Sequence, residues 1–250
     1  MFYITNYGLT WSSARIKCKV SHDGAHTWSD PYVLSFEQGT MVRSCPIVLN
    51  NGDYLLQVYH ETGEDRERTA EHTCSYFLRY DPQEKTWTPT NRIYSEMGNL
   101  QAQPVQIDDD YLVAYIRRGG EFGPLEDGVL YRSESRDGGY SWSRGEPSQF
   151  PNPNSACDFI KLQNGHLLLV YNDNNQGERM PLTVAISTDN DKTYPHRRDI
   201  VDKPGDTAAY PVAIQTKDGK IHVVYTSKDR TQIDHAIFDE SAILGHSTGR

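Results

Sequence analysis

No apolar run in the sequence approaches the roughly 20 residues that a membrane-spanning helix needs. The opening residues, MFYITNYG, lack the basic stretch and apolar core of a signal peptide. An excess of positive charge is missing too: the net charge is −9, which argues against a nucleic-acid partner. Cysteine is scarce, with Cys18, Cys45, Cys74 and Cys157 far apart and no C-x-x-C pair. That excludes a zinc ribbon or a dense disulfide framework and points to reduced thiols in a cytoplasmic setting. A secreted protein is the expectation if an N-terminal segment precedes Met1. There is no G-x-S-x-G elbow, phosphate-binding glycine loop or nucleotide fingerprint. HETGEDRERTAEH (60–72) lacks zinc-protease spacing, and DNNQGE (173–178) lacks a full series of calcium ligands. No metal or cofactor is therefore expected. Helical periodicity is absent throughout.

What the sequence does contain is a repeat. SHDGAHTW (21–28), SRDGGYSW (135–142) and STDNDKTY (187–194) share Ser, any residue, Asp, then an aromatic five positions after the Asp. YDPQEKTW (80–87) is a copy one residue longer. The motif aspartates, Asp23, Asp81, Asp137 and Asp189, recur roughly every 50–60 residues. In phase with them run CPIVLNNGDYLLQVY, QPVQIDDDYLVAY, CDFIKLQNGHLLLVY and YPVAIQTKDGKIHVVY, each a tight polar turn between two β-branched or aromatic runs. The pattern predicts an all-β chain, a β-propeller of four-stranded antiparallel blades. Residues 39–96, 97–148 and 149–203 each supply four strands, 204–240 supplies three, and 1–38 supplies three of another. About five blades are visible, forming one domain over 1–240 followed by a polar tail, 241–250. The Asp motif reads as turn architecture: a short carboxylate accepts backbone N–H groups and the aromatic anchors the blade.

The topology puts the tight turns and Asp motifs at one end of the blades and the longer, varied loops at the other. Functional groups tend to collect on such loops. They carry Arg43, His60, Glu61, Gln101, Gln103, Arg117, Arg118, Asn154, Asp158, Asn172, Arg179, Tyr210 and Arg230. Several arginines on one face of an acidic protein point to an anionic ligand, because guanidinium forks bind carboxylates bidentately.

In the order SHDGAHTWSDP, VRSCPIVLNNGDYLL, PNPNSACDFIKLQNGHLLLVYN, RMPLTVAISTDNDKTY and AYPVAIQTKDGKIHVVYTSKDRTQIDHAIF, the chain resembles the BNR-repeat (Asp-box) sialidase-like superfamily. The resemblance implies a six-bladed propeller that binds glycans on its loop face, so the expectation is that these residues either close as an abbreviated five-blade ring or lack an N-terminal blade. It implies a tyrosine nucleophile at Tyr210 and a carboxylate clamp containing Arg117 and Arg179, with Arg43 an alternative member. Asp158 is the nearest match to the carboxylate that assists the tyrosine. His60, Gln103, Asn154 and Asn172 complete the expected sugar-binding set. Three functions stay open: an exo-glycosidase for a terminal acidic sugar, a polysaccharide lyase using His60 or Tyr210 as base on uronic-acid glycans, and a glycan-binding propeller without catalysis. The expected partner is an anionic carbohydrate; the oligomeric state is not legible.

Overall fold

The computed structural model describes residues 1–63 and 69–245. Its strands form five antiparallel sheets that succeed one another along the chain as the blades of a propeller. Blade 1 holds β1 (Phe2–Asn6), β2 (Ala14–Cys18) and β3 (Tyr32–Val33). Blade 2 holds β4 (Thr40–Met41), β5 (Ile47–Val48), β6 (Tyr54–His60), β7 (Cys74–Asp81) and β8 (Thr86–Pro89). Its first strand is split, since β4 and β5 both pair with β6. Blade 3 runs through β9 (Asn99–Gln106), β10 (Leu112–Arg118), β11 (Val129–Ser135) and β12 (Glu146–Pro151). Blade 4 comprises β13 (Asp158–Lys161), β14 (Leu167–Asn172), β15 (Leu182–Ser187) and β16 (His196–Val201). Blade 5 has three strands, β17 (Ala208–Gln215), β18 (Ile221–Ser227) and β19 (Gln232–Phe238). Helix α1 (Ser241–Leu244) follows blade 5 and buries Ile243 against blade 4. Residues 246–250 of the expected tail lie outside the described residues.

The core is distributed between blades. Ile16 meets Leu56, Val58 and Tyr76 between blades 1 and 2, and Leu55 and Phe77 meet Leu112 and Ala114 between blades 2 and 3. Tyr115 and Leu130 pack on Phe159 and Leu169, and Val170 and Val184 pack on Ile221 and Val223. Strands of the middle blades are covered on both faces, which is why LLLVY and LVAYI read as continuous apolar runs. Each fully buried aliphatic side chain contributes about 1.5–3 kcal/mol of transfer free energy. Blade 5 has only one covered face. The other shows Ile214, Val224, Ile233 and Ile237 to solvent, with Ile233 76% exposed.

Three Asp motifs repeat one hydrogen-bond pattern. The carboxylates of Asp23 and Asp189 accept the backbone N–H of Thr27 and Thr193 (both 2.9 Å) and the hydroxyls of those residues (both 2.6 Å). Asp137 accepts from Ser141 in the same way. The serine two positions before each Asp donates to it and accepts an N–H from inside the turn, 2.9 Å from Ala25 and Gly139 and 3.0 Å from Asp191. The aromatics then pack on the preceding blade: Trp142 lies 4.5 Å from Phe77 and Tyr194 5.0 Å from Phe150, ring centre to centre. Trp28, in blade 1, is 40% exposed.

Candidate active site

The first strands of blades 3 and 5 break in the same way. In blade 5, Ala209 pairs with Thr226 and Val212 with Val224, so Tyr210 and Pro211 together oppose one residue. In blade 3, Leu100 pairs with Arg117 and Gln103 with Tyr115, so Gln101 and Ala102 do likewise. These are β-bulges, which re-aim a side chain at the cost of ladder bonds. The first residue of each bulge is left-handed, with φ +53° at Tyr210 and +62° at Gln101. Non-glycine residues in this region store strain of about 1–3 kcal/mol. Both side chains thereby turn into the same space.

That space is a cavity of about 900 Å³ at the loop end of the blades, large enough for a sugar and part of its neighbour. Arg117, Arg179 and Tyr210 line one side; Ile4, Met41 and Leu100 give it apolar surface. Asn154 and Gln101 hold Arg117 from behind: its Nε donates to Asn154 Oδ1 at 2.7 Å and its Nη1 to Gln101 Oε1 at 3.2 Å. Asn154 is itself fixed by donating to Gly120 O at 2.9 Å. The Phe122 ring lies 5.8 Å from the Arg117 guanidinium and 5.7 Å from that of Arg179, and Arg179 sits 5.2 Å over the Tyr210 ring. Burial alone would raise the Tyr210 phenol, but the charges of Arg117 and Arg179 bring it down to about 8. Burial also works against the Arg117 cation, leaving a dehydrated positive site that an incoming carboxylate would neutralise. Among the described residues no group of three or more metal-ligating side chains occurs.

Matched against family models, residues 1–223 correspond to the BNR repeat-like domain. The chain belongs to that family. No curated protein sequence matches it. Among solved structures, the Streptococcus pneumoniae NanB sialidase superposes with TM-score 0.71 at 16% identity, over 92% of this chain and 36% of that one. The Ruminococcus gnavus intramolecular trans-sialidase, in complex with oseltamivir carboxylate, gives 0.68 at 16% identity, over 92% and 51%. The Trypanosoma rangeli sialidase, in complex with the inhibitor DANA, gives 0.66 at 14%, over 96% and 42%. The BNR chain thus spans about half or less of these sialidase chains, and the likeness establishes a sialidase-like fold.

Of the residues expected at the site, Tyr210, Arg117 and Arg179 line the cavity, and Asn154 supports it. The others are placed elsewhere. Arg43 donates to the backbone carbonyls of Cys157 (2.9 Å) and Pro211, pinning β13 and β17 together across the axis. Asp158 belongs to the same axial cluster and does not line the cavity: its Oδ2 accepts the Ala213 N–H at 2.6 Å. With its amide nitrogen toward Asp158 Oδ1 and its oxygen toward Arg43 Nη1, both at 3.1 Å, Gln103 bridges the two charges. Asn172 donates to Pro181 O and Ala208 O and accepts from Ser155, which fully occupies its amide in joining loops. His60 faces Glu37 at 3.6 Å, and burial lowers its pKa. Arg118 spends its guanidinium on the carbonyls of Asn152, Gly119 and Glu121. Of the charged loop at 60–72, residues 64–68 lie outside the described residues. The sequence reading gave no role to Phe122, Tyr59 or Trp11, which the fold brings to the cavity wall. It gathered Glu61 on the loop face without assigning it chemistry, although Glu61 lines the same wall. For Phe122, Trp11 and Glu61 the only signal was their position in the variable loops; Tyr59, inside β6, gave none.

Proposed function

We propose that the cavity hydrolyses a terminal acidic sugar, sialic acid or a close relative, from a glycan. The observation that carries this reading is the convergence of Arg117 and Arg179 on Tyr210. Two fixed guanidinium groups suit the sugar carboxylate, and they also stabilise the phenolate of a tyrosine nucleophile. Tyr210 Oη forms a bond to the anomeric carbon as the glycosidic C–O bond breaks, and water later releases the sugar and restores the phenolate. Such tyrosine nucleophiles depart from the usual pair of carboxylates. The sialidase-like fold and the activities named for the solved sialidases support the same class.

Substituting Tyr210→Phe tests it. Hydrolysis of an aryl sialoside should fall on the order of 10³-fold or more, with the acidic sugar still bound. Undiminished turnover would remove Tyr210 from the mechanism. The ionisable phenol also suits a base for elimination on a uronic acid, so an unsaturated, ultraviolet-absorbing product would replace the hydrolase reading with a lyase. Binding without turnover in the intact protein would leave a lectin-like propeller.

A further inference from the structure

The proposed hydrolysis needs a proton at the departing oxygen, and neither the two arginines nor an ionised Tyr210 supplies one. Four carboxylates line the cavity: Glu61, Glu178, Asp206 and Asp229. Asp206 accepts the N–H groups of Thr207 (2.7 Å) and Lys228 (2.9 Å), bonds that hold it ionised. Asp229 is exposed on the outer loop, and Glu178 precedes Arg179 at the rim. Glu61 differs from all three. It follows the end of β6 and its N–H donates to Gly39 O at 2.9 Å. Gly39 has φ +79°, and a Cβ there would come 2.3 Å from Glu61 O, so only glycine permits this approach. The backbone of Glu61 is therefore fixed, while among the described residues no hydrogen bond or ion pair engages its carboxyl group.

We propose, resting on the hydrolase reading above, that Glu61 is the acid/base of this cavity. Its carboxyl proton passes to the glycosidic oxygen as the C–O bond breaks and Tyr210 Oη bonds to the anomeric carbon. The resulting carboxylate takes a proton from the water whose oxygen then displaces Tyr210, so the sugar gains OH and Glu61 regains its proton. Its surroundings suit this cycle: burial pushes the Glu61 carboxyl up to about 7, with Arg117 pulling partly the other way. Tyr59, itself raised to about 12 by burial, stands beside Glu61, Arg117 and Tyr210 and stays a neutral phenol. On neighbouring walls Arg179 and Arg230 add positive charge, and the His60–Glu37 pair lies on the adjoining turn.

The test compares Glu61→Gln with the unaltered protein on two substrates of the same acidic sugar, one with a second sugar as leaving group and one with 4-nitrophenol. Proton donation matters for the first and little for the second. The account expects kcat/KM to fall on the order of 10²–10⁴-fold for the natural linkage and by only a few-fold for the nitrophenyl glycoside. It also expects the alkaline fall in activity of the unaltered protein to vanish in Glu61→Gln. Equal losses on both substrates, or none on the natural linkage, would overturn the assignment while leaving the hydrolase reading intact. An unaltered protein inert on both would overturn the two together.

Discussion

The Asp-motif carboxylates at one end of the propeller and Glu61 at the other are treated in opposite ways. At the tight-turn end, Asp23, Asp137 and Asp189 are held at about 2. The Thr27 hydroxyl leads at Asp23; at the other two, desolvation is the largest single influence and the hydroxyl and amide bonds together outweigh it. At the loop end, Glu61 is raised to about 7 by burial without hydrogen bonds to offset it. A carboxylate whose lone pairs are all engaged is part of the scaffold. One that is desolvated and left open is available for proton transfer. Asp158 shows that burial alone does not decide the matter: its pKa is raised too, but Ala213, Arg43 and Gln103 engage it at the axis.

The largest effect should come from the cavity. Arg117→Lys keeps the charge but loses the fork that Asn154 and Gln101 orient, and kcat/KM on an acidic glycoside should fall about 10²–10³-fold. A loss below tenfold would mean that Arg117 does not contact the substrate. Next come the two faces of blade 5. Ile221→Ala empties a fully buried position and should cost about 2–5 kcal/mol in urea unfolding. Ile237→Ala, on the solvent face at 56% exposure, should stay within about 0.5 kcal/mol. Similar losses at both would show that blade 5 is covered on its outer face in solution.

A smaller change is expected at the turns. Asp137→Ala should cost about 1–2 kcal/mol, since the lost hydrogen bonds lie at an exposed turn, and leave activity per folded molecule unaltered. Lost activity in a folded Asp137→Ala protein would bring the Asp motif into the chemistry. The pH signatures should also oppose each other. The lowered aspartates contribute stability that is present above about 4 and lost as pH falls through about 2. Glu61, with its raised pKa, makes folding less favourable as pH rises from about 4.5 to about 7. Thermal unfolding from pH 2 to 9, for the unaltered protein and Glu61→Gln, separates the two: only the second trend should weaken in the variant.

The scaffold was legible because a propeller repeats its local chemistry. Three of the four Asp motifs carry their serine, hydroxyl and aromatic within eight residues, and each first hairpin carries its own turn. The site is assembled from different blades, and a repeat says little about where they meet. YIRRGG offers two arginines, but strand alternation sends Arg117 to the cavity and Arg118 to loop carbonyls. Tyr210 was reached through the family resemblance, whereas the matching bulge at Gln101 was not legible, since it depends on pairing register. Arg43 and Asp158 looked like site residues because axis and cavity draw on the same loops. Only the structure distinguishes a charge engaged by backbone from one facing open space. Glu61 went unassigned because its setting depends on Gly39, more than twenty residues earlier.

The most direct test of the central claim, that the two-arginine cavity breaks glycosidic bonds by hydrolysis, is to incubate the protein with a sialylated oligosaccharide in ¹⁸O-water and weigh the products. The account predicts a released acidic sugar carrying one ¹⁸O, and none with Tyr210→Phe. An intact oligosaccharide, or a released sugar that has lost water and carries no label, would contradict it.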